Sequence, residues 1–214
     1  MRLCSLLILA ACSTSATPPA NTKTMSDGVT LAVVMSGWEM WIGNDKDPRV
    51  AQDAPERTPG ALDRVTAAFA KAAPASANAL LVTYANKAQL RVPLGQPLTP
   101  AAFGTQQDYH SEIGIDLVKG LALAADQLEA APPGHRYLIV LGDGTDTNPE
   151  AALVELPKLA DRFAKAHVEV TAIVYRTQIS AERDFIDKLT KHVIRTPTLD
   201  EFQTALTSTL ATVR

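Results

Sequence analysis

The residues best equipped for chemistry are mostly acids, and they gather at two strand-like ends and the loops beside them. Residues 142–146 read GDGTD, close an apolar run and supply Asp143 and Asp146. A second apolar run ends in MSGWEMW at 35–41, where Glu39 stands between Trp38 and Trp41, the two tryptophans of the chain. Asp45, Asp47, Asp108, His110 and Glu112 lie in the stretches between. Carboxylates that converge on one edge are hard oxygen donors of the kind Mg²⁺ and Ca²⁺ prefer. Ser36 invites a different chemistry, acyl transfer, with His110 or His192 and Asp143 as partners. Residues 34–38 read VMSGW, however, and lack the Gly-x-Ser-x-Gly turn of a nucleophile elbow. Gly142-Asp143-Gly144 lacks the third glycine of a dinucleotide loop. An envelope hydrolase and a nucleotide binder are therefore minor readings. The acids are read as solvated loop residues, with Asp143 capping the turn that follows it. The alternative is a cation-dependent binder with rebuilt acidic ligands.

Positioning these residues requires a sheet. Residues 29–35 are a continuous, β-branched-rich apolar run, as expected of a strand buried on both faces. Further strands are predicted over 79–84, 89–94, 137–141, 168–175 and 192–195. Helices are predicted over 61–73, 116–130, 150–166, 181–190 and 199–213, and loops over 38–60 and 97–112. Asn86-Lys87 turns the chain between two strands, making a hairpin. Strands alternating with helices imply an α/β, doubly wound, mainly parallel sheet with helices on both faces and one antiparallel edge strand. In such a sheet the C-terminal strand ends form one crevice, where Glu39, Asp143 and Asp146 would meet.

The order of elements and three segments resemble a von Willebrand factor A domain over roughly residues 29–213. In that family strand one ends in Asp-x-Ser-x-Ser, usually followed by Met. Met35-Ser36-Gly37-Trp38-Glu39-Met40 stands in that register. A Thr precedes the family's second, Gly-Leu-rich helix segment, and here Ile115 fills its place ahead of Asp116-Leu117-Val118-Lys119-Gly120-Leu121. The third segment, Thr-Asp-Gly, is matched by Gly142-Asp143-Gly144. The resemblance implies a metal-ion-dependent adhesion site, with the first Asp, two Ser, the Thr and the third-segment Asp around a divalent cation. The corresponding residues are Met35, Gly37, Glu39, Ile115 and Asp143, of which only Asp143 keeps the family's identity. Sliding the first segment by one residue offers Ser36, Trp38 and Met40 instead. The site is therefore expected to be degenerate, with no metal and no other cofactor. Trp38 and Trp41 are then either a dry filling of the vacated site or exposed anchors for a partner.

The amino terminus, MRLCSLLILAAC, carries a different signal. The apolar stretch 3–11 is too short to span a bilayer. Leu9-Ala10-Ala11-Cys12 resembles the lipobox of a bacterial lipoprotein, which implies cleavage before Cys12 and acylation of its thiol. The alternative is an ordinary signal peptide cut near Ala16. Residues 1–11 are read as signal peptide, 12–28 as lipidated terminus and flexible tether, and 29–214 as the domain. Cys4 and Cys12 are the only cysteines, so the mature domain is expected to lack disulfides and thiolate sites. Ser13 is not the Asp that retains lipoproteins at the inner membrane of enteric bacteria, which points to the outer membrane. With a net charge of −3 and no Lys/Arg cluster, no nucleic-acid partner is expected. The resulting expectation is a non-enzymatic, membrane-tethered module of the bacterial envelope. Its partner, an envelope protein or peptide, would bind at the loop edge holding Trp38, Glu39, Trp41 and Asp143.

Overall fold

The computed structural model describes residues 28–37, 61–74, 77–104, 114–175 and 185–214. Six strands form one sheet in the order β3-β2-β1-β4-β5-β6. They are β1 (Gly28–Ser36), β2 (Asn78–Tyr84), β3 (Ala88–Gln96), β4 (Gly134–Gly142), β5 (Val168–Tyr175) and β6 (Val193–Thr196). All neighbours are parallel except β3, which pairs antiparallel with β2 at one edge. This is the doubly wound sheet expected from the alternation of elements. Pro93 lies within β3, and an edge strand is where a residue without an N–H is tolerated.

Among the described residues four helices cover the sheet: α1 (Ala61–Ala72), α2 (Leu117–Glu129), α3 (Pro149–Lys165) and α4 (Leu199–Thr212). The pleat of β1 explains the two core layers, since alternate residues face opposite sides. Leu31, Val33 and Met35 pack with Val65 and Phe69 of α1 and Phe202, Leu206 and Leu210 of α4. Ala32 and Val34 pack with Leu121, Ala124 and Leu128 of α2 and Leu156 and Phe163 of α3. The helix starts obey simple capping chemistry. Asp116, Asn148 and Thr198 each accept a hydrogen bond from a backbone N–H three residues on, at 2.9, 3.1 and 3.2 Å. Pro157 sits inside α3 on its exposed side, where water can satisfy the carbonyl it leaves unbonded.

Three expectations need correction. The helix expected over 181–190 is absent from the described part of that stretch, where Ile186–Lys188 forms a single 3₁₀ turn. The reason is visible in the bonding: Phe185 N–H donates to the Gly144 carbonyl, while Phe185, Ile186 and Leu189 sink together into the α2/α3 layer. The loop expected over 97–112 contains a 3₁₀ turn at Pro100–Phe103, which places the Phe103 ring 4.9 Å from that of Phe69. Strand β4 begins at Gly134, three residues before the strand expected over 137–141. Gly134 takes φ of +147° beside Gly28, and an added Cβ would lie 2.0 Å from the Gly28 oxygen. Among the described residues no helix is long and apolar enough to cross a membrane.

Candidate functional site

The C-terminal ends of β1, β2 and β4 meet the start of α2 at one edge of the sheet. Parallel pairing brings Ser36 level with Tyr84, and Met35 level with Leu141 one residue below Gly142. The loop after β4 then folds back over α2. Asp143 is buried, and its Oδ1 accepts a hydrogen bond from Thr145 N–H at 3.1 Å. This is the turn-capping role expected of it, but the solvated setting expected of these acids does not hold for Asp143 or Asp146, which the folded-back loop buries. Asp146 is buried as well; its Oδ1 accepts from Asn148 N–H at 2.7 Å and its Oδ2 from Val118 N–H at 3.2 Å. The carboxylate thus lies at the positive end of the α2 dipole. Burial nevertheless raises its pKa; the backbone donors oppose this, and nearby Asp116 adds to it. Thr147 donates through both N–H and Oγ1 to the Ile115 carbonyl, each at 2.8 Å. Asp116 N–H donates to the Ala85 carbonyl at 2.7 Å, and Gly37 N–H donates to the Tyr84 carbonyl. Every segment of the described edge is therefore bonded to another.

Tyr84 lies beneath this convergence and is 1% exposed. Its ring packs against α2, where a Cβ added to Gly120 would stand 2.8 Å from the Tyr84 Cβ. Its hydroxyl reaches β4, where a Cβ added to Gly142 would stand 2.4 Å from the oxygen and 3.3 Å from the Ser36 Cβ. Ser36 is placed to hydrogen-bond that hydroxyl, but not in the geometry of a regular bond. Burial raises the tyrosine pKa well above its usual value. The negative charges of Asp143 and Asp146 add to the rise, and Ser36 opposes it. The group is a neutral hydroxyl at any physiological pH.

The predicted site residues separate into three groups. Asp143, Gly37 and Ile115 come together at the edge with Asp146. Met35 does not join them: it is fully buried in the α1/α4 layer, whereas Ile115 belongs to the α2/α3 layer across the sheet. The two positions therefore do not form one patch for a single tryptophan to cover. Trp38, Glu39 and Trp41, with Asp45, Asp47, Asp108, His110 and Glu112, lie outside the described residues, as does Cys12. His192 is exposed at the start of β6, three strands away from Ser36, or about 14 Å at the usual strand spacing. Tyr84 was missed by sequence reasoning. A signal for it exists in the glycines at 120 and 142, where a helix and a strand interior both give up a side chain.

A divalent cation of the Mg²⁺ class needs about six oxygen ligands in near-octahedral order. The described residues do not fit that need. Both Asp146 oxygens accept backbone N–H groups, Asp143 Oδ1 accepts another, and the Ile115 carbonyl is held by Thr147. Among the described residues no group of three His, Cys, Asp or Glu is arranged to hold a metal.

No family model and no curated protein sequence matches the chain. Solved structures do. A von Willebrand factor type A protein from Catenulispora acidiphila superposes with a TM-score of 0.60 at 14% identity, over 87% of this chain and 42% of that one. Proximal thread matrix protein 1 from the mussel byssus, with zinc in its MIDAS motif, gives 0.59 at 16% identity, over 89% and 46%. An aerotolerance-related membrane protein from Bacteroides fragilis gives 0.54 at 11% identity, over 85% and 98%. The chain spans less than half the length of the first two. The strand order, the antiparallel edge and these superpositions agree that the fold of this chain is that of the von Willebrand factor A domain.

Proposed function

We propose that the chain is a non-enzymatic interaction module, tethered to a bacterial envelope membrane through acylated Cys12. It binds an envelope protein or peptide at the loop edge carrying Trp38, Glu39, Trp41 and Asp143. The observation that carries this reading is the bonding of the edge itself. Among the described residues, Asp146 and Asp143 Oδ1 accept backbone N–H groups that hold the loops together, which leaves the described part of the edge preorganised. That described part, already ordered, loses little conformational freedom when a partner docks, so more of the contact energy made there appears as affinity. The likeness in fold to a membrane-related bacterial protein supports the envelope setting. The tryptophans supply the anchor chemistry, because large aromatics are enriched among residues that dominate binding.

The test is affinity capture from detergent-solubilised envelopes with the full chain and with Trp38→Ala and Trp41→Ala, each variant also melted thermally. A partner lost at unchanged melting temperature supports the reading. Capture and melting both equal to wild type refute it. The anchor is tested separately by mass spectrometry of the mature N-terminus. Cys12→Ser should leave uncleaved precursor, and an unacylated N-terminus downstream of Cys12 in the wild type would remove the tether.

A further inference from the structure

The three segments that carry the family's cation ligands are still joined here, and the joint is a side chain. Tyr84 touches the end of β1 at Ser36, the first turn of α2 at Gly120 and the end of β4 at Gly142. We propose that Tyr84 takes the structural place of the cation, as a built-in plug that makes the loop edge independent of divalent ions.

Three observations converge. The ring is enclosed at 1% exposure, so its position excludes both water and a hydrated ion. The two positions flanking it are glycine, and a single added carbon at either would come within 2.4–2.8 Å of a Tyr84 atom. Finally, the β4 loop and the start of α2 are bonded directly, Thr147 donating to the Ile115 carbonyl and Val118 N–H to Asp146, while β1 and α2 are each tied to the end of β2, Gly37 N–H donating to the Tyr84 carbonyl and Asp116 N–H to the Ala85 carbonyl. A plug of this kind has a functional consequence. The edge stays assembled in the absence of metal, so recognition there is constitutive rather than gated by ion supply. The inference rests on the fold and the described residues, and it can fail or stand whether or not a partner is found.

The experiment uses the full-length chain and the ions themselves: Mg²⁺, Mn²⁺ and Zn²⁺ at millimolar concentration, and EDTA. The expected result is a wild-type melting temperature unmoved by any of them. Amide exchange completes the test. Tyr84→Leu, which keeps apolar mass and so favours a folded product, should lose protection at 36–37, 114–120 and 142–147 ahead of the rest of the sheet. Tyr84→Phe, which keeps the ring, should retain it. Two results overturn the proposal. One is a rise of about 5–10 °C with an ion, the size expected at 100 times its Kd for a domain this long, that disappears in Asp143→Asn. The other is unchanged protection of those segments in Tyr84→Leu.

Discussion

Replacing Gly142 with Ala adds one carbon at the point where Tyr84 ends, and the outcome depends on one oxygen atom. The new Cβ would lie 2.4 Å from the Tyr84 hydroxyl, 3.3 Å from the Ser36 Cβ and 3.6 Å from the Tyr84 Cζ. The first distance is well inside van der Waals contact, the second is tight and the third is ordinary. The ring has no room to retreat, because its other end is pressed against Gly120. Overpacking of a closed core costs about 1–3 kcal/mol, and this site belongs at the upper end. Gly→Ala returns about 0.4–1 kcal/mol by reducing the freedom of the unfolded chain. A net loss of about 1–2 kcal/mol is expected in the wild type. Tyr84→Phe alone removes a hydroxyl that makes no regular bond, so it should change stability by about 1 kcal/mol or less. In the Phe background the 2.4 Å clash is gone, and Gly142→Ala should be close to neutral. The coupling between the two changes is then about 1–2 kcal/mol, within the range for residues in direct contact. Urea denaturation of the wild type, both single variants and the double variant measures it. An equal cost for Gly142→Ala in both backgrounds would show that the hydroxyl is not where this account puts it.

The same tyrosine predicts an alkaline effect. A folded pKa raised above the usual value near 10 contributes stability below about pH 10, which is lost as pH rises toward the folded value, so Tyr84→Phe should flatten the alkaline limb of the stability curve. Asp146 has the same sign at the other end of the scale. Its raised pKa makes its contribution favourable below about pH 4 and diminishing as pH climbs through the folded value, a dependence that Asp146→Asn should remove in acid-range melts. Asp146→Ala leaves the Val118 and Asn148 N–H groups without their acceptor and should cost roughly 1–3 kcal/mol in urea titrations. Gly134→Ala combines a left-handed φ with a collision against the Gly28 oxygen, and a loss of about 2–5 kcal/mol, or failure to fold, is expected.

The periodicity of the chain was enough to determine its layers. The unbroken apolar run at 29–35 required a strand covered on both faces, and the helices between strands supplied both covers. Local chemistry also read correctly where the bond partners are close in sequence: Asn86-Lys87 at the hairpin and Asp143 over Thr145. The departures from the family's ligand pattern were equally legible, because a thioether or an aliphatic chain is a poor hard-oxygen donor wherever it lies. Tertiary structure decided the rest. Whether Met35 faces the α1/α4 layer or the α2/α3 layer that holds Ile115 depends on the pleat, and a shift of one residue reverses it. The turn at Ile186–Lys188 replaces a helix because a carbonyl 41 positions upstream, that of Gly144, takes the Phe185 N–H. Tyr84 is identified as the filling of the edge only when β1, β4 and α2 are brought around it. Its neighbours Ser36, Gly120 and Gly142 are dozens of residues away in sequence, and packing between distant segments leaves no periodic trace.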